Sequence, residues 1–439
     1  MLEEQMAPEG AEVKSAAENK VVQLFPDLGE LPDILQAFAE TIEAKGVAGE
    51  RKRAKLLYLA ITSRLLAETS HQVSVIVKAQ SSTGKSYLTD NVVEFFPEEA
   101  VNKRSSVTPK ALAYADDLEL KHRTLYLREA NGAGKGEGAA MLRQLLSEGR
   151  LDHQTVIDGK GELLKIEGPL NVVMTTIEHE LDPELETRCL SVTLDESPEQ
   201  TRAVMLAQAR LAEYAQDRRL DMAPWHALQE KLAAGGPYRV EVPFASDLAM
   251  VIPPFAVRVR RDFKALLGLV RAHALLHQAS RERKDGRIVA TLEDYAAVRE
   301  LVDDLVSEGM EVTVKPEMRQ TVEAVARLDR DGRGVQHKAI TTELKLDRST
   351  VTRRLQPAVA KGYLVKQEGF NGVEYYRVGD PLPDGSSALP SVARLRGVAR
   401  ELHGGVQQKS CWIPRVKERE KELLRGDRSE SNHGGDAGA

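Results

Sequence analysis

Ala54, Leu57, Tyr58, Ile61 and Leu65 recur at helical spacing, and the pattern over about 28–68 predicts helices with one apolar face. Residues 73–78 (Val-Ser-Val-Ile-Val-Lys) form a short apolar run that predicts a buried strand. From there to about 195, strand-like and helix-like stretches alternate, the pattern of a parallel sheet covered by helices. Residues 197–235 read as helical. Pro253-Pro254 mark a break, and Phe263, Leu266, Leu267, Val270 and Ala274 line one face of a second helical run at 260–278. Residues 317–378 read as a separate small α+β unit. Beyond Gly379 the chain turns rich in Pro, Gly, Ser and charge. Val392, Leu395, Val398 and Leu402 are spaced for a short helix there, but a mostly disordered tail is the expectation.

The resulting division is a disordered N-terminus at 1–20, a helical segment at 21–70, an α/β core at 71–215, a helical region at 216–312, the small α+β unit at 313–380 and the tail at 381–439. A length of 439 residues suits two or three domains.

Composition changes this picture little. Hydrophobic residues are 42% and charged residues 29%, ordinary for a globular protein. Aromatics are 5%, which argues against a platform of stacked rings. The net charge of -6 leaves no global basic field, so any nucleic-acid contact has to come from local patches. Cys189 and Cys411 are far apart and form no CxxC pair, which excludes a disulfide framework and a cysteine zinc site. A reducing, cytoplasmic setting is expected. Glu3 and Glu4 stand where a signal peptide would be basic, and no run of about 18 apolar residues occurs to span a membrane.

The sharpest chemistry lies at Ala79-Gln-Ser-Ser82-Thr83-Gly84-Lys85-Ser86. It follows a strand and opens a helix that starts near Tyr87. The pattern is G-x-x-x-x-G-K-[ST] with alanine in place of the first glycine. In such a loop backbone N–H groups cradle phosphates, the lysine reaches the β- and γ-phosphates, and the serine hydroxyl sits on Mg²⁺. ATP and Mg²⁺ are therefore the expected cofactors, with Lys85 and Ser86 as their main side-chain contacts. Ala79 departs from the pattern because alanine resists positive φ.

The next apolar strand, Arg123 to Glu129, ends where a metal-tethering aspartate and a water-orienting glutamate are expected. Arg128 stands at the aspartate position and Glu129 at the glutamate position. Slow or absent hydrolysis is one expectation from Arg128. Leu151–Ile157 and Glu162–Glu167 flank Asp158-Gly159-Lys160-Gly161, a hairpin signal. The strand Leu170–Met174 follows and ends in Thr175-Thr176. Arg188 comes after one short helical turn, where a rigid, permanently charged fork can reach the γ-phosphate of a neighbouring subunit or simply form a surface ion pair.

The phrases LLYLAITSRLL, SVIVKAQSSTGKSYL, MLRQLLSEGR, ETRCLSVTLDESPEQT and RVRRDFKALLGLVRAHALLHQ, in this order over about 52–280, resemble AAA+ ATPases of phages, plasmids and integrated elements. The resemblance implies a P-loop core with a helical lid, and a homo-oligomeric, hexameric ring acting on DNA. It implies that Thr175 senses the γ-phosphate and that Lys160, at the tip of a hairpin preceding the sensor strand, touches the DNA backbone; a solvated hairpin lysine is the equal alternative. The lid stretch is similar to that of minichromosome-maintenance helicases, which implies a nucleotide contact for Arg261, with Arg258 and Arg260 close by.

Residues 320–377 show helices at Thr321–Leu328, His337–Leu344 and from Ser349, then strand-like runs at Tyr363–Gln367 and Glu374–Val378. Three helices and a two-stranded wing predict a winged helix-turn-helix. The third helix carries Arg348, Thr350, Arg353 and Arg354 on its early turns, where a recognition helix meets DNA. Asp347 or Ser349 is placed to cap it, Lys361 sits near its end, and Pro357 is expected to kink or shorten it. A protein-contact role for this unit is the alternative. Three functions follow: a ring ATPase moving on DNA, a nucleotide-gated DNA-binding loader or regulator with little hydrolysis, and a protein-remodelling ATPase.

Overall fold

The computed structural model describes residues 27–80, 83–105, 119–130, 134–157, 160–177, 181–213, 220–252, 259–313, 316–329, 332–360, 362–368, 373–379, 382 and 389–403. The chain divides into two compact units, Met1–Val392 and Ala393–Ala439.

At the centre lies a five-stranded sheet in the order β2 (Val101–Arg104), β3 (Thr124–Leu127), β6 (Asn171–Thr176), β1 (Val75–Lys78), β7 (Leu190–Thr193). Every pairing is parallel. All of β3 and β6 is buried, the continuous burial that strands covered on both faces require. On one face Ile76, Leu125, Leu127, Val172 and Met174 pack with Ala139, Met141, Leu142 and Leu145 of helix α4 (Gly136–Glu148). On the other lie α2 (Arg51–Thr62) and α3 (Lys85–Val93), which also touch each other.

The N-terminal helices are part of this packing. Phe38 of α1 (Ile34–Ala44) stacks on Tyr58 of α2 at 4.4 Å between centroids. Phe95 and Trp225 close on the pair edge to face. Trp225 belongs to α7 (Ala223–Ala234), which follows α5 (Pro183–Glu186) and α6 (Pro198–Glu213). A good share of the scarce aromatics is thus spent on one buried cluster. Arg64, 1% exposed, lies over the Phe96 ring at 5.3 Å and bonds to Gln229 Oε1 at 3.0 Å. Its burial pulls the guanidinium pKa down to about 10.

Two strands inserted between α4 and β6 form an antiparallel ribbon, β4 (Arg150–Ile157) and β5 (Lys160–Glu167), as the Asp-Gly turn signal predicts. Asp158 and Gly159, which separate the two strands in sequence, lie outside the described residues, and β5 begins at Lys160.

After α7 come β8 (Val240–Glu241), α8 (Ala245–Val251), α9 (Val259–Leu276), β9 (Arg283–Lys284), β10 (Arg287–Val289) and α10 (Leu292–Thr313). The three short strands form one small sheet. Between α9 and α10 the buried Asp294 carboxylate accepts from Arg281 Nη2 at 2.8 Å, from the Thr291 N–H at 2.7 Å, and pairs with His273 Nδ1 at 2.7 Å.

The last part of the first unit has α11 (Pro316–Leu328), β11 (Val335–Gln336), α12 (His337–Leu344), α13 (Arg348–Ala360), β12 (Leu364–Glu368) and β13 (Glu374–Val378). Val322, Val325, Ile340, Val351, Leu355, Tyr363 and Tyr376 make its core. Two details differ from the sequence reading. The sheet has three strands because β11, only two residues long, pairs with β13. Pro357 does not end α13, which runs on to Ala360. Pro357 is exposed, so the Arg353 carbonyl that lacks its amide partner lies on the wet side of the helix.

A further helix, α14 (Val392–His403), stands where a mostly disordered tail is expected. The segment leading to it is anchored on α10: Tyr295 OH donates to the Pro390 carbonyl at 2.7 Å and Leu389 N–H to Asp303 Oδ1 at 3.1 Å. Residues 1–20 and 404–439 lie outside the described residues. Among those described, no helix is long and apolar enough to cross a membrane. Cys189 is buried and its thiol is pushed up to about 12 by that burial, so it is unreactive; Cys411 lies outside the described residues.

Candidate nucleotide-binding site

The carboxyl ends of β1, β3 and β6 lie side by side. Leu127 pairs with Met174, which pairs with Ile76, and Thr175 pairs with Val77. The loop after β1 therefore starts beside the ends of the other two strands. Open α/β sheets bind ligands along this edge.

That loop turns into α3 at Gly84, whose φ of +90° is a left-handed conformation that glycine adopts without strain. Ala79 is not among the residues with positive φ, so alanine in the first glycine position is unstrained. Lys85 is 7% exposed and folds back over the loop, donating to the Ala79 carbonyl at 2.8 Å and the Gln80 carbonyl at 2.5 Å. Thr83 Oγ1 donates to the same Gln80 carbonyl at 2.7 Å. Burial lowers the pKa of Lys85, and the Glu196 charge opposes the shift. Ser86 and Tyr87 are exposed on the first turn of α3. Ser82 lies outside the described residues.

Glu129 is exposed at the end of β3, and its N–H donates to the Ser105 carbonyl at 3.2 Å. Thr175 is 2% exposed, and its hydroxyl donates to the Arg128 carbonyl, which braces the end of β3 against β6. Arg128 points its side chain at α3. Its Nε donates to Asp90 Oδ1 at 3.1 Å, Nη2 donates to Asp90 Oδ2, and Tyr126 OH donates to Oδ1 at 3.1 Å.

Arg188 is exposed beyond α5. It is held by its own chain, with Nε donating to Ser147 Oγ at 2.8 Å and Nη1 to the Glu184 carbonyl at 2.6 Å. Arg261 is exposed on the first turn of α9, together with Arg260; Arg258 lies outside the described residues.

The loop, its lysine and the strand ends thus form one site with the geometry of a phosphate cradle. Compared with known families, the chain matches the MTBMA_p00010 P-loop domain over residues 26–216. The site is that of a nucleotide-binding P-loop domain. The match begins at residue 26, so α1 and α2 lie within the matched part. No curated protein matches the chain.

P-loop proteins commonly hold Mg²⁺ with the P-loop hydroxyl and an aspartate on the neighbouring strand. Here Ser86 supplies the hydroxyl, but the strand position is the cation Arg128, and Asp90, one helical turn after Ser86 on α3, is engaged by Arg128 and Tyr126. Among the described residues no group of three or more His, Cys, Asp or Glu is placed to hold a metal. The donor set fits Mg²⁺ poorly.

Two residues of this site have no motif to announce them. Asp90 follows Ser86 by one helical turn and looks like an ordinary helix carboxylate. Glu196, three residues after the end of β7, accepts from the Gln80 N–H at 3.0 Å across 116 positions of sequence. Only the strand order brings it there.

The basic helix α13 is only partly as expected. Arg348 and Arg353 are exposed, with Ser349, Thr352 and Gln356 on the same arc, while Thr350 is half-buried and Arg354 turns back to donate to Gln320 Oε1 on α11 at 3.0 Å. Thr350 N–H caps on Asp347 Oδ1 at 2.9 Å, as expected for that cap. Lys361 lies outside the described residues.

Proposed function

We propose that this chain is an AAA+ ATPase that assembles as a ring and couples its nucleotide cycle to movement on, or remodelling of, DNA. The observation that carries the reading is Lys85 at the start of α3, folded over a phosphate loop beside the ends of β3 and β6. The strand of Thr175 lies between the loop strand and the strand of Glu129, which supports the AAA+ assignment by the resemblance noted above. In this reading Lys85 binds the β- and γ-phosphates and Glu129 orients water. Arg188 acts on the nucleotide of a neighbouring subunit, which requires it to leave Ser147. The ribbon β4–β5 and the winged-helix arrangement of α11–α13 with β11–β13 are the DNA contacts, Arg348 and Arg353 foremost. Localisation in the cytoplasm belongs to the same proposal.

A second reading, a nucleotide-gated DNA binder with little hydrolysis, is favoured by the Arg128–Asp90 pair at the metal-tethering position. One experiment separates the two: ATP turnover with and without single-stranded DNA, beside Lys85→Ala. Turnover that DNA stimulates and Lys85→Ala abolishes supports the motor. Binding without turnover supports the gate. An absence of ATP binding overturns both.

A further inference from the structure

We propose that Arg128 takes the place of the divalent cation, so that this chain holds a nucleoside triphosphate without Mg²⁺. The inference rests on the nucleotide reading above and deepens it.

Backbone geometry fixes where Arg128 stands. Its N–H donates to the Arg104 carbonyl at 3.0 Å, and its carbonyl accepts from the Thr175 hydroxyl. It is the residue after Leu127, so it lies one step beyond the row Leu127–Met174–Ile76 and level with Val77, two residues before Ala79. This is the edge of the sheet at which the phosphate loop begins.

The side chain is directed as well. Asp90 follows Ser86 by four residues on α3, so the two share a helix face. Asp90 grips the Arg128 fork on both its oxygens, which draws the guanidinium toward that face. The Tyr126 hydroxyl adds a third bond to the carboxylate. The guanidinium is anchored, yet the side chain as a whole is still 53% exposed. It is fully charged at any working pH, since arginine does not deprotonate.

A phosphate-bound metal has two tasks, to neutralise the β- and γ-oxygens and to bridge them. A planar guanidinium held at one edge does both through its remaining N–H groups, because its fork matches phosphate oxygens. The same positive charge repels a divalent ion from the neighbouring space. Asp90 cannot compensate as a ligand, because its oxygens are committed to Arg128 and Tyr126. Lys85 on the loop side and Arg128 on the strand side then flank the phosphates from two directions.

The test is the affinity of the full chain for a fluorescent ATP analogue in excess Mg²⁺ and in excess EDTA. The wild type is expected to bind with a Kd that changes less than about threefold between the two, and Arg128→Gln to lose on the order of tenfold or more in EDTA. Arg128→Asp is expected to bind in Mg²⁺ and to lose binding in EDTA, the metal-dependent behaviour restored. Arg128→Lys keeps the charge without the fork and serves where the other variants fail to fold; it is expected to fall between wild type and Arg128→Gln in EDTA. Wild-type binding that weakens tenfold or more in EDTA overturns this inference and leaves the nucleotide reading intact. So does Arg128→Gln, or Arg128→Lys in its stead, that binds in EDTA as the wild type does. An absence of binding in both conditions overturns the inference together with the nucleotide reading.

Discussion

Gln80 donates its backbone N–H to the carboxylate of Glu196 at 3.0 Å, so an acid that follows the neighbouring strand β7 occupies a donor of the phosphate loop. A phosphate entering the cradle competes with that carboxylate for the donor and meets its like charge. Glu196→Gln is expected to tighten nucleotide binding by about threefold, a modest gain because the group is exposed and screened. Calorimetric titration at low and high salt checks this. The gain should shrink as salt rises, and an unchanged or weaker affinity at low salt would count against the competition.

Asn171 ties three segments together inside the protein. Its Oδ1 accepts from Thr124 Oγ1 at 2.7 Å, and its Nδ2 donates to the Ala60 and Val73 carbonyls at 2.6 and 3.1 Å. It is fully buried. Asn171→Ala leaves these partners unsatisfied where water is excluded, and each such loss costs about 1–3 kcal/mol. Allowing for relaxation, the expected destabilisation is about 2–4 kcal/mol in urea unfolding. A loss under about 0.5 kcal/mol, the range of ordinary surface changes, would show that the network is not holding α2 to the sheet.

Much of this was legible beforehand, for physical reasons. Local patterns dominate where one element carries its own signal: the apolar run of β1, the Gly84-Lys85-Ser86 helix start, the Asp-Gly ribbon turn and the Asp347 cap. What stayed hidden depends on contacts between distant positions. The bond from Gln80 to Glu196 exists because β7 pairs beside β1, and the fork from Arg128 to Asp90 exists because β3 faces α3. The two-residue β11 has no periodicity to detect. Pro357 misled because its cost depends on where the orphaned carbonyl points, which a sequence does not state.

On the DNA reading, the arginines of α13 divide by orientation. Arg348 and Arg353 are exposed, whereas Arg354 is bonded to Gln320. Arg348→Ala and Arg353→Ala are each expected to weaken DNA binding and, if they meet phosphates, to lower the salt slope by about one. Arg354→Ala is expected to change it less. Fluorescence anisotropy across a salt series measures both quantities. Equal losses for all three would mean that the helix is not read by its outer face.

Acid should act through the cluster at the end of α9. The Ile34 N–H donates to His277 Nε2 at 3.3 Å, and His277 Nδ1 lies 3.1 Å from the His273 carbonyl, so the ring is neutral with its proton on Nδ1. Burial first, and then the neighbouring His273, pull its pKa down to about 4. The unfolded chain, with a pKa near 6.5, takes up the proton first as pH falls. The contribution of His277 is therefore complete above about pH 6.5 and is lost between there and about 4, amounting to about 3 kcal/mol. Asp294 works lower down. Burial alone would raise its pKa, but the bonds from His273, Arg281 and Thr291 outweigh it and bring it to about 2, so its share is lost only below about pH 3.8. Urea unfolding at pH 7.5 and at about pH 4.5, with His277→Gln alongside, separates the two. The variant should lose most of the slope above pH 4, and an unaltered slope would remove His277 as its source.

Gly268 sits where α9 crosses close to the chain leading into β1. A Cβ there would lie 2.6 Å from the His71 carbonyl oxygen and 2.7 Å from Val73 Cγ2. Two effects compete in Gly268→Ala. Alanine in a helix interior gains roughly 0.5–1 kcal/mol over glycine. The clash forces backbone or helix to shift, and overpacking of this kind costs typically about 1–3 kcal/mol. The nearer obstacle is a backbone oxygen, which cannot rotate away as a side chain can, so the clash should win. Thermal and urea unfolding of Gly268→Ala are expected to show a net loss of about 1–2 kcal/mol. A gain in stability would mean that α9 has room to move off the strand entry, and that the close approach is slack rather than a fixed contact.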